Sequence, residues 1–560
     1  MNRIPMRERK PRGLLFGGFT AHFAPGQNPN VQFERYAHEL GPVGANSDSE
    51  FVREGLFHHG LETFRSFGNH RIATHIRRQG WDVECIDYAI FFTNEELKKL
   101  LDDRITKDTL FVGFSMMFYT MTTERLKWFT DYIRETYPWV TLIAGGQKSW
   151  TVTCVDADYY VTGNGEFAMT ALCKYMLGED EELKIHKTLK NGGQLITAQH
   201  SYPCFPKRDA NISFEERDHI MPNETINIEF SRGCIFECKY CSFPLLGMKQ
   251  DTTRDEQNIY EELLENYEKW GTTNYYVTDD TINDSKDKLA LLARAVRRLP
   301  FQPMFHGYIR ADLLIRHGEE TWKDMVDMGL TAHSYGVESF NRESSKAVGK
   351  GMKPEELKAG LLKIKDYFEK HSPNYYCGTF TMMAGLPHET FETLESTKDW
   401  VNTHWRGHAV SYLPLMLSQP DDEQADAIDW KVYNNFMKYG YTYSYDEPMV
   451  LDPETKERVR AMSKGKKNSK MREKTNWNYW VHPSGDYDFV DMIEWVKDFT
   501  KERVAAKTNP AGVWQTVFVH AETWQDPKEG YKYYKENHEN LPVNGLINII
   551  REYKQRKLDL

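Results

Sequence analysis

The stretch Ser231-Arg232-Gly233-Cys234-Ile235-Phe236-Glu237-Cys238-Lys239-Tyr240-Cys241 gathers three thiols directly after an apolar run, Ile226 to Phe230. Three thiolates fall one short of a closed structural zinc site, and no second Cys pair or Cys/His pair follows. They suit a 4Fe-4S cluster with one iron left open, because thiolates hold such clusters and an open iron can accept a small molecule. Other reactive side chains follow, each after its own apolar run. They are Thr278-Asp279-Asp280, then Tyr308-Ile309-Arg310-Ala311-Asp312, then Gly336-Val337-Glu338-Ser339, and finally Gly385-Leu386-Pro387-His388.

The elements that must position these residues alternate regularly. Strand-like runs at Ile226 to Phe230, Tyr275 to Thr278, Met304 to Tyr308, Ala332 to Val337, Tyr376 to Met383 and Val410 to Leu415 are separated by helical periods. Ile259, Leu263 and Tyr267 mark one helix; Leu357, Leu361, Ile364 and Phe368, with Pro354 at the start, mark another. Six βα units predict a partial (βα)6 TIM barrel, whose chemistry collects at the carboxyl ends of its strands, where the reactive residues fall. Upstream, runs at Leu14 to Phe19, Val83 to Tyr88, Leu110 to Ser115 and Thr141 to Ala144 alternate with helical patterns at Arg71 to Gln79 and Thr123 to Tyr137. That order predicts a Rossmann-like parallel sheet, with Gly145-Gly146 and Gly163-Asn164-Gly165-Glu166 just beyond strand ends, where ligands bind. The expected class is therefore α/β, with domains at 1–205, 206–420 and 421–560, the last mainly helical. Phe205 to Asn223 is polar and turn-rich and is read as the interdomain linker. Phe23 to Gly68 is a long insertion between first strand and first helix, placed over the sheet's carboxyl edge.

Bulk properties narrow the function. The chain has 560 residues, 40% of them hydrophobic, and a formal charge of −11, which gives no general reason to expect nucleic acid as a partner. No apolar run reaches the roughly 20 residues of a membrane span. The basic N-terminus lacks the apolar region of a secretory signal, so the expected location is the cytoplasm. Eight cysteines, with those outside the three-thiol stretch scattered, argue for reduced thiols and against both a disulfide framework and a second cluster.

CxxxCxxC with an aromatic residue before the last Cys resembles the signature of the radical SAM superfamily. In that family the open iron chelates S-adenosylmethionine (SAM), and reduction of the cluster releases a 5′-deoxyadenosyl radical that removes hydrogen from an unactivated carbon. The resemblance implies that Cys234, Cys238 and Cys241 hold the cluster and that Tyr240 packs against the cluster or the adenine. Asp280, preferred over Asp279, would accept from the SAM amino group by charge-assisted hydrogen bonds. Arg310 would hold the SAM carboxylate, with a structural pair to Asp312 as the alternative. Glu338 and Ser339 correspond to the family's GxES element, and Gly385 and Pro387 to its GLPGET element at the adenine, with His388 in place of the usual Gly. An electron donor such as flavodoxin or ferredoxin would be the partner.

The first domain resembles the cobalamin-binding-type domain of one subgroup through Ala73-Thr74-His75-Ile76-Arg77-Arg78-Gln79-Gly80-Trp81-Asp82-Val83, Val112-Gly113-Phe114-Ser115, Ile143-Ala144-Gly145-Gly146 and Val161-Thr162-Gly163-Asn164-Gly165-Glu166. Thr20-Ala21-His22-Phe23-Ala24-Pro25-Gly26 keeps the His of the cobalt-ligating DxHxxG element but lacks its Asp and shifts its Gly. Cobalamin is thus an open expectation. With it, the implied reaction is methyl transfer to carbon; without it, a rearrangement or other functional-group change. Lys464, Lys466, Lys467, Lys470, Arg472 and Lys474, followed by Trp477, Tyr479 and Trp480, could grip a nucleotide or phosphate-bearing substrate or form a solvated loop. Phe489, Ile493, Val496 and Phe499 form the buried face of a helix. The rival of another class is a zinc- or cluster-containing ligand-binding protein without catalysis.

Overall fold

The computed structural model describes residues 10–17, 65–87, 89, 92–115, 124–146, 156–179, 182–203, 210–241, 251–373, 376–415, 437–443, 480–506 and 555. His22, residues 23–64 of the insertion, and the basic run with Trp477 and Tyr479 lie outside them.

The N-terminal unit is built from β1 (Arg12–Phe16), α1 (Phe67–Arg77), β2 (Asp82–Ile86), α2 (Asn94–Arg104), β3 (Thr109–Ser115), α3 (Glu124–Thr136), β4 (Thr141–Gly145), β5 (Tyr159–Thr162), α4 (Glu166–Met176), β6 (Lys187–Thr188) and β7 (Gln194–Thr197). Its sheet runs β2-β1-β3-β4-β5-β7-β6, parallel except for the edge strand β6. Helices on both faces explain why strands such as β3, Thr-Leu-Phe-Val-Gly-Phe-Ser, read as continuous apolar runs. The crossover direction reverses at β1, so the carboxyl ends of β1 and β3 flank a crevice of the kind where doubly wound sheets take ligands.

The second sheet has the order β15-β14-β13-β12-β11-β8 and is parallel throughout. Its strands are β8 (Ile226–Ile228), β11 (Asn274–Val277), β12 (Met304–Ile309), β13 (Leu330–Glu338), β14 (Cys377–Ala384) and β15 (Val410–Pro414). Sequential neighbours with helices between them make the six-stranded partial barrel. A short hairpin, β9 (Ser231–Arg232) with β10 (Thr252–Thr253), extends from the end of β8.

The segment expected to be a linker is instead packed. Ala210, Ile212, Phe214 and Ile220 are buried, and so is Asp218. Arg77 binds both carboxylate oxygens of Asp218 at 2.6 and 2.7 Å. Arg65 spans Glu224 at 2.6 and 2.7 Å and Asp87 at 3.0 Å. Polarity here reflects buried ion pairs joining the sheet unit to the barrel. This also explains why α1 buries Asn69, His70 and Arg71 as well as Ala73 and Ile76.

The described part of the C-terminal region includes α5 (Phe489–Ala505), whose Phe489, Val496 and Phe499 are buried as expected. Among the described residues, no helix is long and apolar enough to cross a membrane.

Candidate active site

The three thiols sit on the loop after β8 and β9. Cys234, Cys238 and Cys241 are partly accessible, whereas Cys85, Cys173 and Cys377 are buried. A turn closes the loop, with the Cys241 N–H donating to the Cys238 carbonyl at 3.1 Å, and the Lys239 N–H donates to Val348 O at 3.1 Å. Gly349, at φ +85°, lets its backbone pass close to the loop: a Cβ there would stand 3.5–3.6 Å from Glu237 O and Cys238 Cα.

Several expected partners converge on this loop. Arg310 donates through Nη1 to Cys238 Sγ at 3.4 Å and lies 3.8 Å from the Phe236 ring centroid. Its Nε and Nη2 bind Asp312 at 3.1 and 2.9 Å, so the ion pair and the approach to the thiol coexist. The Tyr240 hydroxyl donates to Glu338 Oε1 at 2.6 Å. Burial, then the charge of Glu338, pushes the Tyr240 phenol well above its usual range, so it stays a donor. Lys350 Nζ donates to Gly336 O at 3.0 Å and stands 3.5 Å from Glu338. Glu338 itself has φ +66°, a region costly for a residue with a side chain, at a register shift between β13 and β14. Thr281 Oγ1 lies 3.5 Å from Cys234 Sγ.

The structure separates the two aspartates after β11. Asp279 is structural: it accepts from Phe230 N and Ser231 Oγ, each at 2.7 Å, and lies 3.5 Å from Lys288 Nζ. Asp280 instead lines a cavity of about 250 Å³. Burial, then Glu229 and Asp279, pushes its carboxyl up to about 7.

This cavity opens at the carboxyl edge of the N-terminal sheet. Its sheet wall includes Gly113, Gly145, Gly146 and Gly163-Asn164-Gly165; its barrel wall is Glu229, Arg232, Thr278 and Asp280. A Cβ on Gly145 would meet nothing closer than Phe114 O at 3.9 Å, so the missing side chain leaves room for a ligand. Asn69 Nδ2, on the same cavity, is a buried donor without a partner. An alternating charge network joins the walls. Arg232 binds Glu229 at 2.9 Å through Nε and Nη2 and Glu166 at 2.8 Å, and Arg71 reaches Glu229 at 2.5 Å.

Ser339, Gly385 and Pro387 each have hydrogen-bond partners within the chain. Ser339 Oγ accepts from Asn341 N at 3.0 Å and stands 3.5 Å from Glu389 Oε1. The Gly385 N–H donates to Glu389 at 2.7 Å, and its carbonyl accepts from Tyr441 at 2.7 Å. Leu386 O accepts from His482 at 3.1 Å, and Pro387 O from Ser344 at 2.7 Å. The carbonyls of Gly385 and Leu386 thus form a joint with the C-terminal segment, which the motif could not reveal because Tyr441 and His482 lie 56 and 96 residues further on. His388 takes the usual Gly position at φ +65°, exposed. Trp480, expected beside a phosphate or base, is fully buried, donating to Leu415 O at 2.7 Å. Gly385→Ala would place a Cβ 2.3 Å from the Trp480 ring at φ +89°. It is expected to cost about 2–4 kcal/mol through overpacking and backbone strain, read as a lowered thermal midpoint.

Sequence reasoning missed Glu229, Arg232 and Asn69 as cavity residues. The local signal was Glu229 and Arg232 flanking the thiols, but their partner Glu166 is remote in sequence.

Residues 228–401 match the family model described as the Radical SAM superfamily. Over residues 228–401 the chain is thus similar to radical SAM enzymes. A curated relative, an uncharacterized methyltransferase of Synechocystis sp., is 22% identical over 189 residues, covering 31% of this chain and 35% of the relative. The chain thus matches about a third of that relative's length. Among solved structures, the radical SAM methyltransferase TsrM from Kitasatospora setae, with cobalamin and a [4Fe-4S] cluster bound, aligns with a TM-score of 0.51 at 14% identity. The alignment covers 73% of this chain and 76% of that one. The cobalamin-dependent SAM radical enzyme OxsB, with aqua-cobalamin and SAM bound, aligns at 0.50 and 14% identity, over 98% of this chain and 75% of its own. The likeness is one of fold.

Proposed function

We propose that this radical SAM enzyme is a corrinoid-dependent methyltransferase acting on carbon, with a 4Fe-4S cluster at Cys234, Cys238 and Cys241, SAM beside it, and cobalamin in the cavity between sheet and barrel. The cavity carries the reading: it lies at the sheet's topological switch point and is walled on the other side by residues that flank the thiols. The donor chemistry fits both groups. Three partly accessible thiols suit the cluster, and a glycine-lined edge with an unpartnered buried donor suits a broad, amide-rimmed ring. When bound, the cluster supplies the electron that cleaves SAM, and cobalamin supplies a methyl carrier.

The chain's own residues bind and orient. Arg310 offers a cationic donor to the Cys238 sulfur, held in place by Asp312. Tyr240 and Lys350 aim Glu338 at SAM, and the Asp280 carboxylate, which lines the cavity, is available to its amino group. Tyr240→Phe removes a hydrogen bond to a carboxylate that Lys350 still serves. SAM affinity is expected to fall about tenfold, at the lower end of about 1.5–3 kcal/mol for such bonds, read by equilibrium SAM binding. A flavodoxin- or ferredoxin-type donor is the partner this chemistry requires.

Names of relatives support methyl transfer, since the curated relative and TsrM are both called methyltransferases. A second reading, hydrogen abstraction followed by rearrangement or another functional-group change, has its own support: OxsB, described only as a radical enzyme, aligns along nearly the whole chain. SAM carrying a deuterated methyl group, supplied with hydroxocobalamin, reductant and a small-molecule extract of the native host, tests both. Methyl transfer places the label on carbon of a new compound; the second reading gives 5′-deoxyadenosine and an unlabelled altered compound. The absence of both products would sink both readings.

A further inference from the structure

A second constellation of ligand-type side chains lies where the sheet unit meets the packed segment leading to the barrel. His70 of α1, Cys85 of β2 and Asp218 of the joining segment are all buried, and one ligand atom from each lies within 4.8 Å of the others. His70 is hydrogen-bonded to Cys85, and its Nδ1 stands 3.7 Å from Asp218 Oδ1. The other ring nitrogen, Nε2, is held by Asp87 Oδ2 at 2.8 Å. Asp218 is clasped through both oxygens by Arg77, and Asp87 is in turn bound by Arg65. This is the two-layer order of a metal site: a ligating imidazole gives its second nitrogen to a carboxylate, and a ligating carboxylate is itself hydrogen-bonded.

We propose that His70, Cys85 and Asp218 form a structural site for one zinc ion, separate from the three-thiol loop. Imidazole nitrogen, thiolate sulfur and carboxylate oxygen are the ligand types zinc takes, and its lack of geometric preference suits a mixed set with a fourth position left to water or a main-chain oxygen. The surrounding charge balances. The dication with the Cys85 thiolate, Asp87, Asp218 and Glu224 on one side and Arg65 and Arg77 on the other sum to neutrality, while the nearby Glu84 and Glu215 are paired with Arg104 and Arg217. The thiol proton, and any imidazole proton on Nδ1, leave to solvent as the metal enters. The ion would pin α1 and β2 to the segment containing Asp218, and so fix how the sheet edge faces the barrel.

Metal analysis and zinc K-edge absorption on the cluster-loaded enzyme test this. About one zinc per chain is expected beside the iron, with a single sulfur among its ligands. Zinc should persist in Cys234→Ala and fall at least tenfold in Cys85→Ser. Should Cys85→Ser not fold, His70→Gln serves instead, with the same loss expected. Zinc well below one per chain, zinc with two or more sulfur ligands, or zinc retained by a folded Cys85→Ser or His70→Gln overturns the site. None of these outcomes bears on SAM cleavage.

Discussion

Cys234→Ala is expected to yield a folded chain that retains little iron after anaerobic reconstitution and loses SAM cleavage by at least about a thousandfold, roughly 4 kcal/mol of barrier. With three thiols and an open iron there is no spare ligand, so each cysteine is indispensable. The loop's own geometry does not depend on the Cys234 side chain: it is closed by the Cys241–Cys238 turn and held by Val348 and Gly349. Cys377→Ala is the matched control, because that thiol is buried in β14. It should lower stability without lowering iron content. Iron and sulfide analysis with 5′-deoxyadenosine quantification separates the two. Undiminished 5′-deoxyadenosine from Cys234→Ala would remove the cluster from this loop.

The second large effect belongs to Arg232→Met. The substitution leaves Glu166 without the guanidinium at 2.8 Å and Glu229 with Arg71 alone. Breaking a buried pair by removing one partner costs about 3–5 kcal/mol, because the remaining charge is desolvated and uncompensated. Denaturant unfolding should show that loss, and Arg232→Met combined with Glu166→Gln should lose less than the two single changes added together, as expected for groups in one network. A fully additive double change would mean that Arg232 and Glu166 do not interact. Because Arg232 is two residues from Cys234 and Glu166 opens the helix behind the cavity loop, the same variant should loosen the cavity's grip on any ligand.

The barrel was legible because its strands are buried on both faces and its helices keep a regular period, so local pattern and tertiary role coincide. The thiol loop was legible for a similar reason: its three thiols lie within one turn-rich stretch. Arg310 near the loop was legible from its strand end, although only coordinates show that it serves Asp312 and Cys238 together. The choice of Asp280 over Asp279 could not be settled by alternation. In the structure Phe230, Ser231 and Lys288 take up Asp279, while Asp280 lines the cavity.

What stayed illegible shares one cause, partners remote in sequence. Phe205 to Asn223 read as linker because Arg65 and Arg77, which bind its Asp218 and His219, lie far away in sequence. The motif at Gly385 gave no sign of Tyr441 and His482, which donate to the carbonyls of Gly385 and Leu386 and follow an unfamiliar stretch. The edge hairpin of β6 and β7 is short, and only pairing with β5 makes it part of the sheet. Trp480, grouped with a basic run by proximity, is core.

Corrinoid retention tests the central claim most directly. Anaerobically reconstituted protein is mixed with excess hydroxocobalamin, passed through a desalting column and examined by absorption. The cavity between sheet and barrel predicts about one corrinoid per chain, and a larger substitution within it, Gly145→Trp, should abolish retention while leaving the iron content unchanged. A wild-type protein that holds its cluster and cleaves SAM yet elutes free of corrinoid would contradict the claim.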